Sequence, residues 1–260
     1  DMMRDVGVKF SVFEREQIRQ IEPCLSQIYF KGVMMDETCS ITSPADLTDA
    51  YLAMFVHAGG CVDRADVTGL ECSAHGWHVY VDCGEAKNSD YVVLAAGAWS
   101  AEIASWLGYD IPMAWERGYH LQFNFNEQSV LNRPILDMDG GFSIAPMKQG
   151  LRITSGVELT HRDAPPNFQQ INKSVVMAKE AVPMGQQLDD EPWMGRRPTL
   201  IDSLPMIDAA PRHKGLWFNF GHHHIGLSMA PGSALLLSSL INGVRTPIDP
   251  APFRSSRFLI

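Results

Sequence analysis

Apolar positions in this chain fall at helical spacing in some stretches and alternate in others. Over "SPADLTDAYLAMFVHAGG", residues 43–60, Leu47, Tyr51, Met54 and Phe55 form one helical stripe. Ser43 suits the N-cap, Pro44 the first helical position, Asp46 the positive end, and Gly59-Gly60 the stop. "CVDRADV" predicts a short strand ending at Val67, and "WHVYVDC" alternates polar with apolar. "YVVLAAG" predicts a buried strand running into glycine. "AWSAEIASWLG" returns to helical spacing, with Trp99, Ile103, Trp106 and Leu107 inward and Gly108 as its stop.

The middle third changes character. "GYHLQFNF" alternates, "GFSIAPMKQGLRITSGVEL" predicts a pair of hairpin strands, and a helix is predicted over roughly 168–182. The last third returns to a buried strand, "GLWFNFG", followed by a helix from about Pro231 to Ile241. Parallel-sheet signals thus flank an antiparallel insert, which predicts two domains interleaved in sequence.

With 260 residues, 45% hydrophobic and 20% charged, the chain has material for one large or two modest cores. A formal net charge of -9 argues against nucleic acid as a partner, because phosphate binding needs a basic face. The five cysteines are odd in number and contain no C-x-x-C, which predicts reduced thiols and a cytoplasmic location. "DMMRDVGVKF" has no apolar core of a signal peptide and starts as if in mid-element, so a missing N-terminal part is expected. The stretch from Ile225 to Ile241 is interrupted by Pro231, Gly232 and serines, short of the roughly 20 apolar residues of a membrane span.

The conspicuous motif is "GHHHIG". Adjacent residues of an extended chain point in alternate directions, so His222, His223 and His224 are poorly placed to share one ion. There is no H-E-x-x-H, and His75 and His78 flank a predicted surface turn; no metal site is expected. The strand–glycine–loop–helix order suggests another use. A helix N-terminus carries free N–H groups and favours negative charge, such as phosphate or the N1–C2=O edge of a reduced flavin.

Four segments in register carry a family resemblance. "YVVLAAGAWSAEI" resembles the second flavin-binding strand–helix of the D-amino-acid oxidase superfamily, which includes glycine oxidase, sarcosine oxidase and bacterial D-amino-acid dehydrogenases. "GRRPTLIDSLPMID" is similar to its Arg-Pro stretch, "FGHHHIGLSMAPGSALLLSSLINGVRTPIDPAPFRSSRF" to its C-terminal flavin loop and helix, and "FSVFEREQIRQIEPCL" to its mid-chain segment. The dehydrogenases are the nearest branch by this reading. The family's opening G-x-G-x-x-G is not found, so the resemblance is to the C-terminal two-thirds of a member.

The resemblance implies an α/β fold with an interleaved FAD-binding domain, of mostly parallel sheet and lacking its N-terminal βαβ, from 43–110 and 213–246. A substrate domain with a large mixed or antiparallel sheet follows from 1–42 and 111–212, with a tail at 247–260. FAD is the implied cofactor. The implied activity is oxidative deamination of a D-amino acid or related amine by hydride transfer to flavin N5. Two alternatives stand beside it: another superfamily enzyme acting on glycine, sarcosine or hydroxyproline, and a non-catalytic fragment or subunit. The partners implied are a small amino acid or amine, and a missing N-terminal segment or second subunit; the electron acceptor is left open. The implied location is cytoplasmic, including the periphery of the inner membrane.

In the family the arginine of the Arg-Pro motif pairs with the substrate carboxylate, which points to Arg197; a guanidinium fork matches a carboxylate bidentately. Arg196 is then the better choice for a structural role. The resemblance puts His224 on the substrate side of the flavin, and Tyr119 in the active site or, equally, in the core. It assigns Gly221 and His222 to positioning the ring, and Gly226, Leu227, Ser228 and Met229 to backbone contacts with the isoalloxazine. Val67 would face the adenine, and Ala95, Ala96, Gly97 and Trp99 would form the turn approaching the cofactor.

Overall fold

The computed structural model describes residues 2–126 and 130–258. In chain order its first elements are α1 (Met2–Asp5), β1 (Phe10–Glu14), α2 (Arg15–Ile21), β2 (Lys31–Met35), α3 (Pro44–His57), β3 (Val67–Ser73), β4 (Gly76–Val81), β5 (Lys87–Ser89) and β6 (Val92–Leu94). A 3-10 turn at Gly97–Trp99 enters α4 (Ser100–Ser105). Then come β7 (Met113–Phe123), β8 (Ile135–Asp137), β9 (Phe142–Met147), β10 (Gly150–Ser155), β11 (Glu158–Leu159) and α5 (Gln169–Ala181). The chain closes with β12 (Trp193–Leu200), β13 (Met206–Ala209), β14 (Leu216–Phe220) and α6 (Gly226–Ile241). These elements divide into two compact units, each drawn from separated segments: residues 1–53, 118–157 and 165–195, and residues 54–117, 158–164 and 196–260.

The first unit is built on antiparallel pairing. β10 pairs with both β7 and β9, placing Ile153 opposite Leu121 and Ile144, and β8 adds to β9. The period of two sends Tyr119, Leu121, Phe123, Leu151 and Ile153 to one face, where they pack with Ile171, Val175 and Ala178 of α5. On β7 and β10 the alternate positions are His120, Gln122 and Arg152. Arg152 donates through Nε and Nη2 to Gln122 Oε1, at 3.2 and 2.7 Å. The His120 ring stacks on Trp193 with centroids 4.7 Å apart.

The second unit corrects the expected mostly parallel sheet. The two apolar runs do pair in parallel, β14 with β6, Leu216 opposite Val92. β13, however, joins β14 antiparallel, Met206 opposite Phe220, and β3, β4 and β5 form a separate antiparallel sheet. The connection from β13 to β14 is a short turn, which reverses the chain direction; a parallel partner would need a crossover of a dozen residues or more. The architecture is therefore α/β with several mostly antiparallel or mixed sheets. β14 is covered on both faces: Leu216, Phe218 and Phe220 join a core with Leu94, Tyr109 and Leu200, and Trp217 packs with Leu236, Leu237 and Ile207. Buried Arg117 donates from Nε and Nη2 to Glu158 Oε2, at 3.0 and 2.7 Å.

Several helices differ from the pattern. α3 begins as expected, with Ser43 Oγ accepting from the Asp46 amide at 3.2 Å, yet it buries no residue, and Tyr51, Met54 and Phe55 are exposed. α4 is one short turn and a half whose buried positions are Ser100 and Ala104, while Trp99 and Trp106 lie exposed. Val67 opens β3 instead of ending a strand, opposite Val81. α6 starts at Gly226, ahead of Pro231, which lies inside the helix. The ring of Pro231 forgoes one backbone bond there, to the carbonyl four residues back. By length and composition alone, His223–Ile241 would suffice to cross a membrane, contrary to expectation; its Leu236 and Leu237 are nonetheless used as core within the second unit.

Candidate functional site

The second unit gathers the functional candidates at the end of β14, the first turn of α6 and the middle of β12. Gly221 turns the chain out of β14 with φ +87, a region that suits glycine, and an added Cβ would fall 2.8 Å from the Leu200 side chain. A bridge between Thr199 and His222 ties the loop to β12. The loop is a 3-10 turn, and His223 within it adopts φ +36, a strained value for a side chain with a Cβ.

The three imidazoles have separate partners. His222 Nε2 is 2.9 Å from Ser233 Oγ on α6. His223 Nε2 is 3.0 Å from the carbonyl of Ser203. A carbonyl only accepts, so this nitrogen carries the proton and neutral His223 keeps Nδ1 bare. His224 Nδ1, 3.1 Å from that bare nitrogen, then donates to it. Neutral His224 is left with Nε2 as a lone-pair acceptor on an exposed ring. Burial, and next the neighbouring His223, push the His222 imidazole below its usual pKa. Among the described residues, no cluster of three or more His, Cys, Asp or Glu is arranged to hold a metal ion.

Arg197 is half-buried on β12. Its Nη1 is shielded from solvent and has no hydrogen-bond partner among the described residues. Burial lowers its pKa, and the opposing influence comes from Glu116 on β7. Glu116 Oε2 also lies 3.7 Å from His224 Nδ1. Sequence reasoning missed Glu116: a glutamate before "RGYHLQF" carries no local motif, and its partners come from distant segments. Arg196 is engaged differently, donating to the Arg162 carbonyl at 2.9 Å and stacking over Trp99 at 5.9 Å. Arg162 covers the same ring at 5.5 Å, so Trp99 is a platform for two guanidinium groups.

The other expected residues lie as follows. Leu227 and Ser228 are exposed and Met229 half-buried in the first turn of α6, where no side chain caps the helix. Ser228 Oγ donates to the Ile225 carbonyl at 2.9 Å. Ala95 is exposed, Ala96 half-buried, and Gly97 turns the chain with φ +56 after β6. Tyr119 belongs to the core of the first unit, where its hydroxyl accepts from the Asn167 amide at 3.1 Å and its ring meets Phe168 edge-on.

A sequence model of the family described as "FAD dependent oxidoreductase" matches residues 1–240. The chain belongs to this family. It is 29% identical over 266 residues to a D-amino-acid oxidase of Bradyrhizobium diazoefficiens, a match covering 99% of this chain and 62% of that protein. It is 32% identical over 170 residues to a glycine oxidase of Pseudomonas putida, covering 64% of this chain and 45% of that one. The chain thus spans less than two thirds of the length of these relatives. Among solved structures, glycine oxidase from Geobacillus kaustophilus superposes with a TM-score of 0.85 at 22% identity, over 99% of this chain and 70% of that one. Glycine oxidase from Bacillus cereus gives 0.81 at 20%, over 94% and 67%. These two likenesses establish the fold.

Two features of the expected recognition are corrected. The family match runs through nearly the whole chain, so it is not confined to a C-terminal portion. The relatives named above are oxidases, which displaces the placement nearest to the D-amino-acid dehydrogenases. The dehydrogenase reading leaned on short motifs that the whole superfamily shares, and such motifs do not separate its branches.

The residues present fit a flavin at the first turn of α6, which has no side-chain cap and leaves backbone donors for an external acceptor. Gly226 opens that turn, and a Cβ there would stand 3.2 Å from the His222 Cβ.

Proposed function

We propose that this chain carries the substrate-holding and flavin-facing part of an FAD-dependent enzyme that oxidises a small amino acid or related amine. Glycine, N-methylated glycine and small D-amino acids form the substrate class, and the names of the two curated relatives support glycine and D-amino acids. A cytoplasmic location is part of this reading.

One observation carries it: the buried, unpartnered Nη1 of Arg197. A buried guanidinium nitrogen without an acceptor is costly, and a carboxylate would satisfy it with a charge-assisted bond. In the proposed site Arg197 fixes the substrate carboxylate, which orients Cα–H. His224, through its bare Nε2, accepts from the substrate amine when neutral. The first turn of α6, opened by Gly226, would hold the ring of the cofactor through backbone groups. FAD, when bound, supplies the two-electron acceptor, and the oxidised amine takes up water to give an oxo acid and ammonia, or methylamine where the nitrogen carries a methyl group.

The test is Arg197→Lys in FAD-loaded protein. Losing one arm of a bidentate charged pair should raise KM for the amino acid by about tenfold or more. Flavin content should stay the same. Unchanged kinetics would remove Arg197 from the carboxylate site.

A further inference from the structure

One face of the first unit's sheet carries a polar grid that the proposed activity does not use. Pairing of β7, β10 and β9 sets His120, Thr154 and Ser143 side by side in one cross-strand row, and Gln122, Arg152 and Ala145 in the next. These positions alternate with Leu121, Leu151, Ile153 and Ile144 of the core, so both rows share the face turned away from it. Arg152 is half-buried, and no carboxylate forms an ion pair with it among the described residues. The nearby Asp189 instead accepts from the Gln122 amide at 2.7 Å. Nε and Nη2 of Arg152 both donate to Gln122 Oε1, and buried Gln122 is in turn anchored by Gln149, Nε2 to Oε1 at 3.4 Å. The guanidinium is thus fixed by its side edge, and its Nη1–Nη2 edge is left for an external pair of oxygens. Beside it the His120 ring stacks on Trp193. No hydrogen bond engages the His120 ring nitrogens or the Thr154 and Ser143 hydroxyls among the described residues. A guanidinium that loses hydration and gains only a neutral acceptor is incompletely compensated, and an anion would complete it.

We propose that this face is a binding site for a small hydroxylated organic acid. Its carboxylate takes the Nη1–Nη2 edge of Arg152 bidentately, and its hydroxyls meet the row of His120, Thr154 and Ser143. No group of this site is shared with Arg197, since all of them belong to the first unit.

The experiment is an NMR titration of the full chain at neutral pH, following the His120 ring proton, which His120→Gln assigns. The probes are tartrate and succinate, four-carbon diacids that differ only by two hydroxyls. Both should shift the His120 resonance saturably, tartrate with an affinity at least about threefold higher, as neutral hydrogen bonds allow. Arg152→Gln should weaken both by about tenfold or more, the loss of a charge-assisted pair. Arg152→Lys, with the charge but no planar fork, should fall between and stands in if the glutamine variant does not fold. Thr154→Val should narrow the gap between the probes, and Arg197→Ala should leave both affinities unchanged. The site is overturned if neither probe shifts His120 in wild type, or if both Arg152 variants bind as tightly as wild type. Equal binding of tartrate and succinate by wild type, or a gap undiminished in Thr154→Val, overturns the hydroxylated class of ligand. Loss of the shift in Arg197→Ala places the anion at Arg197 and overturns the site as well.

Discussion

The 2.9 Å contact between His222 Nε2 and Ser233 Oγ fastens the loop after β14 to α6. Ser233 is 4% exposed, so the bond is shielded and each partner would otherwise lack one. Ser233→Ala should lower unfolding free energy by about 1 kcal/mol, and His222→Ala by more because packing is lost too. Urea denaturation of both single variants and the double variant should reveal a coupling of at least about 0.5 kcal/mol. Strict additivity would show that the bond contributes nothing.

Acid should weaken the first unit through His120. Desolvation first, and the nearby Arg152 second, push its pKa down to about 4, with Asp189 opposing. The folded-state value lies below the unfolded one, so the neutral imidazole is the form that folding favours. Its contribution is complete above about pH 6.5 and is lost as pH falls from there toward 4. His222, shifted the same way, adds to the trend in the second unit. Urea midpoints measured at pH 7.5 and pH 4.5 should fall for wild type, and fall less for His120→Gln. An equal drop in both proteins would discard His120 as a source.

Two glycines should tolerate substitution poorly, for different reasons. Gly221→Ala forces a Cβ into a positive φ and against Leu200, and should cost roughly 2 kcal/mol of stability in thermal or urea melts. Gly226 has no such backbone constraint, and its Cβ would press only on His222. Gly226→Val should therefore leave the melt nearly unchanged while reducing flavin retention after gel filtration. A Gly226→Val protein with full flavin content would place the cofactor elsewhere.

Chelation is expected to be without effect. The imidazoles of 222, 223 and 224 have a serine hydroxyl, a backbone carbonyl and one another as partners. Dialysis against a strong chelator should leave the melting temperature unchanged, since a metal held by folded ligands would contribute its binding energy to stability. Stoichiometric zinc, with a lower Tm after its removal, would refute this.

Local pattern was enough to place most elements. The cap at Ser43, the alternation on β7 and β10, and the apolar runs of β6 and β14 depend on neighbours a few residues apart. The same locality made "GHHHIG" legible as a loop between strand and helix, and singled out Arg197 beside a proline. Tertiary structure decided the rest. β13 returned antiparallel to β14 because a short turn joins them, a choice that hydrophobicity does not encode. Trp99 stayed out of the core, and its ring meets Arg162 and Arg196 from distant segments. Tyr119 went to the core because the phase of β7 pointed it at α5. The approach of Glu116 to His224 was invisible in the sequence. A single carboxylate acquires meaning only when folding sets it beside His224 and within the field of Arg197, and those encounters are fixed by strand register and chain crossing, not by spacing along the chain.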